Sequence, residues 1–383
     1  MDKLTDFPFG LAKASNDEKK EYFLKMTLNH PKLNEAFLEV IDRINTSPSG
    51  KVILVYGPTG VGKSTLCKRV KKEIIQRFLD NGLNIQNIKG TIPVAMLELP
   101  SSDNGKFNWR DFYKRLLNEM NEPLVEYKIS RNSEVPNKKI PNHWPSTSPE
   151  LRESLENAIS YRNTKVILLD EAQHLLKIAS GKNIKDQLDA LKSIANLTGA
   201  LFILFGTYEL MDFFDLSGQL GRRTKEIHFP RYNLNITKDK HDFHSVIYTF
   251  QNRLPFIEKT DLLYYADFLY ERTIGCIGIL KEWLDECVNE ALNKNLPSIS
   301  FDVLERNAPT PSKALTIAQE TIEGETKVNE QGQSIYLLRE TIGLSTNSKQ
   351  TYNESGKSTQ GRKNNVGIRN PTRDKIGLKE KQT

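Results

Sequence analysis

Val52-Ile53-Leu54-Val55-Tyr56-Gly57-Pro58-Thr59-Gly60-Val61-Gly62-Lys63-Ser64 is the stretch on which the fold turns. Its first five residues form an unbroken apolar run rich in branched side chains, which predicts a strand buried on both faces of a parallel sheet. The residues from 63 to about 80 carry helical periodicity and stop at Asn81-Gly82, a usual C-terminal helix signal. The loop between them therefore sits where a strand hands over to a helix N-terminus. There glycines let the backbone turn so that successive N–H groups converge on an anion, and the helix adds the positive end of its dipole. Lys63 is expected to reach the β- and γ-phosphates of a nucleoside triphosphate, and the Ser64 hydroxyl to hold Mg²⁺. The expected nucleotide-binding run is Gly57, Pro58, Thr59, Gly60, Val61, Gly62, Lys63, Ser64 and Thr65.

A second motif supports the first. Val166-Ile167-Leu168-Leu169 predicts another buried strand, and Asp170-Glu171 emerge at its carboxyl end, the edge at which open α/β sheets place their ligands. Asp170 would orient the metal's hydration shell opposite Ser64, and Glu171 would polarise the water that attacks the γ-phosphate. Further strands are expected at 92–99, at 200–205 and at 225–229. The sum is a five-stranded parallel α/β sheet followed by a small helical unit.

The remaining chain divides by texture. Residues 1–24 form a mixed lead, 25–232 the α/β domain with a polar, proline-punctuated insertion at 122–149, and 233–310 a set of short helices. Residues 311–383 read as a polar, basic, flexible partner-binding tail, and from 345 onward it has almost no large apolar residues to offset ordering entropy. From 345 onward that tail holds nine Lys and Arg against three acids, which accounts for the whole net charge of +6. It is expected to touch a protein partner or nucleic acid, a solvated terminus being the competing possibility. The three cysteines Cys67, Cys276 and Cys287 have no metal-ligand spacing and are expected as reduced thiols. With no signal-type leader and no long apolar run, the chain is expected in the cytoplasm and off the membrane.

The order of motifs resembles the AAA+ ATPases of the TnsC/TniB type, regulators of Tn-seven-like transposons that include CRISPR-associated ones. The resemblance covers about residues 20–308. It rests on the phosphate loop, the long insertion, Leu-Leu-Asp-Glu-Ala-Gln-His at 168–174, Phe-Gly-Thr at 205–207, Arg222-Arg223, and Gly275-x-x-Gly278 opening a late helix. It implies ATP with Mg²⁺ and hydrolysis. It further implies a homo-oligomeric ring or filament, hexameric or heptameric, around double-stranded DNA. As partners it implies a target-selection protein of the TniQ/TnsD type and transposase subunits, the latter met through the C-terminal tail. By the same resemblance Thr207 would be a polar sensor between water and γ-phosphate, and Arg222 or Arg223 the finger that reaches a neighbour's site. A strand-end turn threonine and a solvated arginine pair are the plainer alternatives. Lys281, in the late helix, would face the phosphates where many relatives carry an arginine, an exposed helical lysine being the alternative. No C-terminal helix-turn-helix is visible.

Lys106, Arg110, Lys114 and Arg115 follow the second strand on a loop and helix that initiator-type members turn toward a DNA-lined pore. Phosphate contacts there would bind without reading sequence; a solvated face is the competing possibility. Asp-Glu-Ala-Gln-His is also a helicase-like box, but too few residues follow 230 for a second motor lobe. The alternative of a different class is a signalling scaffold or helicase-loader ATPase in which the protein partner is the point.

Overall fold

A computed structural model describes residues 14–80, 90–101, 107–128, 147–176, 182–213, 224–258, 260–333 and 341–342. The chain divides into two compact units, 1–330 and 331–383. Five strands form one parallel sheet: β1 (Val52–Tyr56), β2 (Val94–Glu98), β3 (Val166–Asp170), β4 (Leu201–Gly206) and β5 (Thr224–His228), in the order β2-β3-β4-β1-β5. The register sets Tyr56 beside Gly206 and His228, and Glu98 beside Asp170, so the carboxyl ends of the strands line up along one edge.

Side chains alternate along a strand and both faces of this sheet are covered, so β1, β3 and β4 are buried at every position and carry no charged side chain other than Asp170, the last residue of β3. Leu54, Ile167, Leu169, Phe202 and Leu204 point to one face, and Ile53, Val55, Leu168, Ile203 and Phe205 to the other. The first face is covered by helices α4 (Trp109–Glu119), α5 (Ser148–Tyr161) and α6 (Lys182–Thr198). The second is covered by α2 (Pro31–Thr46) and α3 (Lys63–Asp80). Full burial of each such Leu or Ile stabilises the fold by about 1.5–3 kcal/mol, an upper figure set by an extended reference chain. The five strands and their parallel sheet agree with expectation, with ends that shift by a residue or two, while the helix at Lys182–Thr198 was not among the expected elements.

Beyond β5 come α7 (Thr237–Arg253), α8 (Ala266–Thr273), α9 (Ile277–Asn293) and α10 (Phe301–Arg306), with a separate apolar cluster built on Phe243, Ile247, Phe250, Leu280 and Leu284. Helix α1 (Asn16–Lys25) joins this cluster through Phe23, which is fully buried, and Asn16 Nδ2 donates to Leu292 O at 2.9 Å. Ser15 and Glu18 form a reciprocal capping box at its start. The lead segment therefore contributes a helix to the C-terminal helical cluster.

Residues from 311, read in sequence as tail, begin with helix α11 (Pro311–Gln333). It seats small side chains on the core: Ala314 and Thr321 are buried, and a Cβ on Gly324 would lie 2.2 Å from the Tyr208 ring. Arg231 anchors it, with Nε and Nη2 donating to the two carboxylate oxygens of Glu325 at 2.9 and 3.0 Å. The composition of this stretch is polar because a helix that docks through alanine, threonine and glycine needs few large apolar residues.

Candidate nucleotide-binding and active site

The loop between β1 and α3 turns through Gly60 at φ +73° and Gly62 at φ +113°, values open to glycine and strained for other residues. Lys63 folds back over it: Nζ donates to Gly57 O at 3.0 Å and to Pro58 O at 2.7 Å. The ammonium is thus held at the mouth of the loop, where phosphate oxygens would exchange for carbonyls. Lys63 is only 7% exposed, and burial draws its pKa down to about 8 against the opposing pull of Glu171 and Asp170. A buried cation at the start of a helix is arranged to receive an anion.

Asp170 closes β3 directly across from the loop. Burial raises its pKa, and the Ser64 hydroxyl and the Glu171 N–H, both hydrogen-bonded to it, work the other way. Ser64 and Asp170 therefore meet as the sequence predicts. Among the described residues no three His, Cys, Asp or Glu side chains converge on one point. One hydroxyl and one carboxylate are nevertheless the donor set that suits Mg²⁺, whose other ligands come from phosphate and water. The ion would neutralise phosphate charge.

Glu171 follows in a left-handed conformation, φ +53°, which turns its side chain out of the strand direction. Gln173, in the helical turn Ala172–Leu176, donates from Nε2 to Glu171 Oε2 at 2.5 Å. Thr207 follows β4 beside them, and its Oγ1 is buried with no hydrogen-bond partner among the described residues. An orphaned hydroxyl in this position suits a polar group brought by the ligand or by the attacking water.

Two clefts flank the loop. One, of about 190 Å³, is walled by Leu28, His30, Val61, Phe250 and Ile277 and also touches Thr65 and Lys281. Its apolar walls fit a nucleobase. His30 caps α2 by accepting the Leu33 N–H at 3.3 Å and stands 3.0 Å from the Tyr232 hydroxyl. Burial pushes His30 down to about 4, so it is a neutral acceptor. Lys281 lines this cleft, but its ammonium lies over the Phe23 ring and donates to both Asp285 oxygens at 2.5 and 2.6 Å. Helix α9 is tied to the phosphate loop by its own backbone: Gly278 N donates to Gly60 O at 2.7 Å, a contact so close that a Cβ on Gly278 would lie 2.4 Å from that oxygen.

The second cleft, of about 250 Å³, opens at the other side of the loop between Pro58, Thr59, Thr207 and α11, which lends it Glu320, Glu323 and Lys327. The base-side cleft and the approach of α11 carry no local motif. Their parts lie up to 250 residues or more apart, and only the pairing of helical spacing with a late Gly-x-x-Gly hinted at the first.

Other expected residues are placed as follows. Lys114 pairs with Glu126 at 2.5 Å and Arg115 with Asp111 at 2.6 Å, so both cations have acidic neighbours, while Arg110 is partly buried on α4. Lys106, Arg222 and Arg223 lie outside the described residues. The three cysteines are buried free thiols. No helix among the described residues is long and apolar enough to cross a membrane.

A parallel sheet in the order β2-β3-β4-β1-β5, with a glycine loop after β1, an Asp-Glu pair at the end of β3, a polar residue just after the strand between them and helices beyond, is the P-loop fold of AAA+ type. Residues 47–214 match the family model described as AAA domain. The fold is similar to that of the ORC2 protein of Aeropyrum pernix in its ADP form, at 15% identity and a TM-score of 0.52 over 77% of this chain and 72% of that one. Cdc6p of Pyrobaculum aerophilum aligns at 12% identity and a TM-score of 0.45, over 75% of this chain and 70% of its own. Domain III of the Thermotoga maritima replication initiation protein DnaA aligns at 12% identity and 0.42, over 79% and 97%. No curated protein matches the chain.

Proposed function

We propose that this ATPase assembles on double-stranded DNA as a ring or filament when it holds ATP, and regulates DNA transposition by bridging a target-selection protein of the TniQ/TnsD type to transposase subunits. The gating part rests on one observation. Lys63, Ser64 bonded to Asp170, Glu171 and the partnerless Thr207 hydroxyl converge at the carboxyl edge of β1, β3 and β4. In hydrolysis water attacks the γ-phosphorus while Glu171 takes its proton; the bond to the β-phosphate oxygen breaks, leaving ADP and inorganic phosphate. Lys63 and the loop N–H groups hold the phosphates, and Arg222 or Arg223 of a neighbouring copy would stabilise charge in the transition state. The transposition part is supported by the motif combination of 168–174, 205–207 and 275–278, and the basic segment after 345 is the partner-binding candidate.

Imaging the full-length protein on duplex DNA with a non-hydrolysable ATP analogue and with ADP tests the proposal. Rings or filaments with the analogue and none with ADP are expected. Particles that stay single in both would favour the signalling or loader alternative. Glu171→Gln is expected to keep nucleotide and DNA binding while turnover falls at least about 100-fold; turnover near the parental rate would remove Glu171 as the base.

A further inference from the structure

Gln173 is only 7% exposed and its carboxamide is engaged at both ends. Nε2 donates to Glu171 Oε2 at 2.5 Å, and Oε1 accepts the Thr207 N–H at 3.3 Å. The two partners have opposite polarity. A carboxylate only accepts and a peptide N–H only donates, so a single orientation of the carboxamide satisfies both. The seat is shaped for it: a Cβ on Gly206 would lie 2.6 Å from Gln173 Oε1, and the glycine leaves that space open. Glu171 itself stands at φ +53°, a posture that is strained for a non-glycine residue and persists when its surroundings hold it.

We infer that Gln173 is a positioning residue that sets the Glu171 carboxylate for water activation and links it to the Thr207 turn at the end of β4. With Oε2 committed to Gln173, Oε1 is the oxygen left for the attacking water. Thr207 carries its partnerless hydroxyl on the same residue whose N–H grips Gln173, so a shift of Thr207 toward a terminal phosphate moves the carboxamide and, with it, the base. One side chain thereby ties phosphate sensing to base alignment, two functions that sit on different strands. The inference rests on Glu171 being the base.

The test uses the full-length protein with Gln173→Met, which keeps length and burial but has neither polar end, and Gln173→Glu, which keeps an acceptor for Thr207 and sets a second carboxylate against Glu171. Glu171→Gln runs beside them. Steady-state kcat and KM for ATP, affinity for a non-hydrolysable analogue and the pH profile are measured. Both Gln173 variants are expected to lose kcat at least tenfold at pH 7.5 with analogue affinity within threefold of the parent. Gln173→Glu is expected to regain activity as pH falls toward 6, because a protonated carboxyl donates to Glu171 again; Gln173→Met is expected to stay flat. Parental kcat in Gln173→Met beside an inactive Glu171→Gln would overturn the inference and leave the base in place. A fully active Glu171→Gln would remove the base itself. If Gln173→Met fails to bind the analogue, the pH profile of Gln173→Glu decides: recovery supports the link, and a loss unchanged by pH overturns it.

Discussion

Lys63 is charged in a place that disfavours charge, and that tension sets a pH dependence for nucleotide binding. Burial lowers its pKa to about 8, so above that pH a growing share of the free protein holds a neutral amine. A triphosphate favours the ammonium, and binding there must take up a proton. The dissociation constant of an ATP analogue is expected to be flat below pH 7.5 and to rise by up to about tenfold per unit above pH 8. Calorimetry at pH 7 and pH 9, in buffers of unlike ionisation enthalpy, should show proton uptake only at the higher pH. Affinity unchanged to pH 9.5 would mean either that Lys63 keeps its proton in the free protein or that it does not meet the phosphates. At the same scale, the nine residues from Gly57 to Thr65 and the Asp170-Glu171 pair were legible because each motif is contiguous. Gln173 and the left-handed turn at Glu171 were not, since a hydrogen bond between 173 and 207 depends on where two strands end relative to each other.

Helices α9 and α11 both approach the phosphate loop, and each is seated through a glycine, Gly278 on the loop itself and Gly324 on Tyr208. Helix α9 enters with Gly278 against the Gly60 carbonyl, and here backbone faces backbone, so no side chain can yield. Gly278→Val is expected to push the helical cluster away from the loop and weaken analogue binding at least tenfold, while β1, β3 and β4 keep their packing. Fluorescent-nucleotide titration beside a thermal melt separates the two. Helix α11 lies on Tyr208 through Gly324 and is pinned by Glu325 to Arg231, a guanidinium that also donates to the Tyr270 hydroxyl at 2.8 Å. Gly324→Leu has no room there, and its overpacking is expected to cost about 1–3 kcal/mol in urea unfolding. A variant as stable as the parent would mean that α11 is not seated on Tyr208. The strands were readable from their apolar runs. Helix α11 was not, because small residues at docking positions look in sequence like those of a flexible tail.

At the scale of the whole molecule, acid should loosen the fold through buried His30 and half-buried His228. Burial holds both His30 and His228 at about 4, below an unfolded value near 6.5. Between those pH values the unfolded chain binds protons that the folded one refuses, so the stability is present above 6.5 and is lost as pH falls toward 4. His30 alone is expected to remove about 2 kcal/mol between pH 8 and pH 5. Protonation also takes the acceptor that caps α2 and faces the Tyr232 hydroxyl. Urea midpoints at pH 8, 6 and 5 measure the loss, and His30→Gln, which has no titrating group, should flatten part of it. By itself the sequence determined the sheet, the glycine loop between β1 and α3 and the acid pair that closes β3. Strand periodicity and loop chemistry act over a few neighbouring residues, so they leave a local trace. Only the tertiary structure decided where the apolar cleft beside His30 lies, how Gln173 spans two strand ends and that α11 lines a cleft with the loop. Those features arise from segments far apart in the chain, whose encounter is set by packing of the whole rather than by any one stretch.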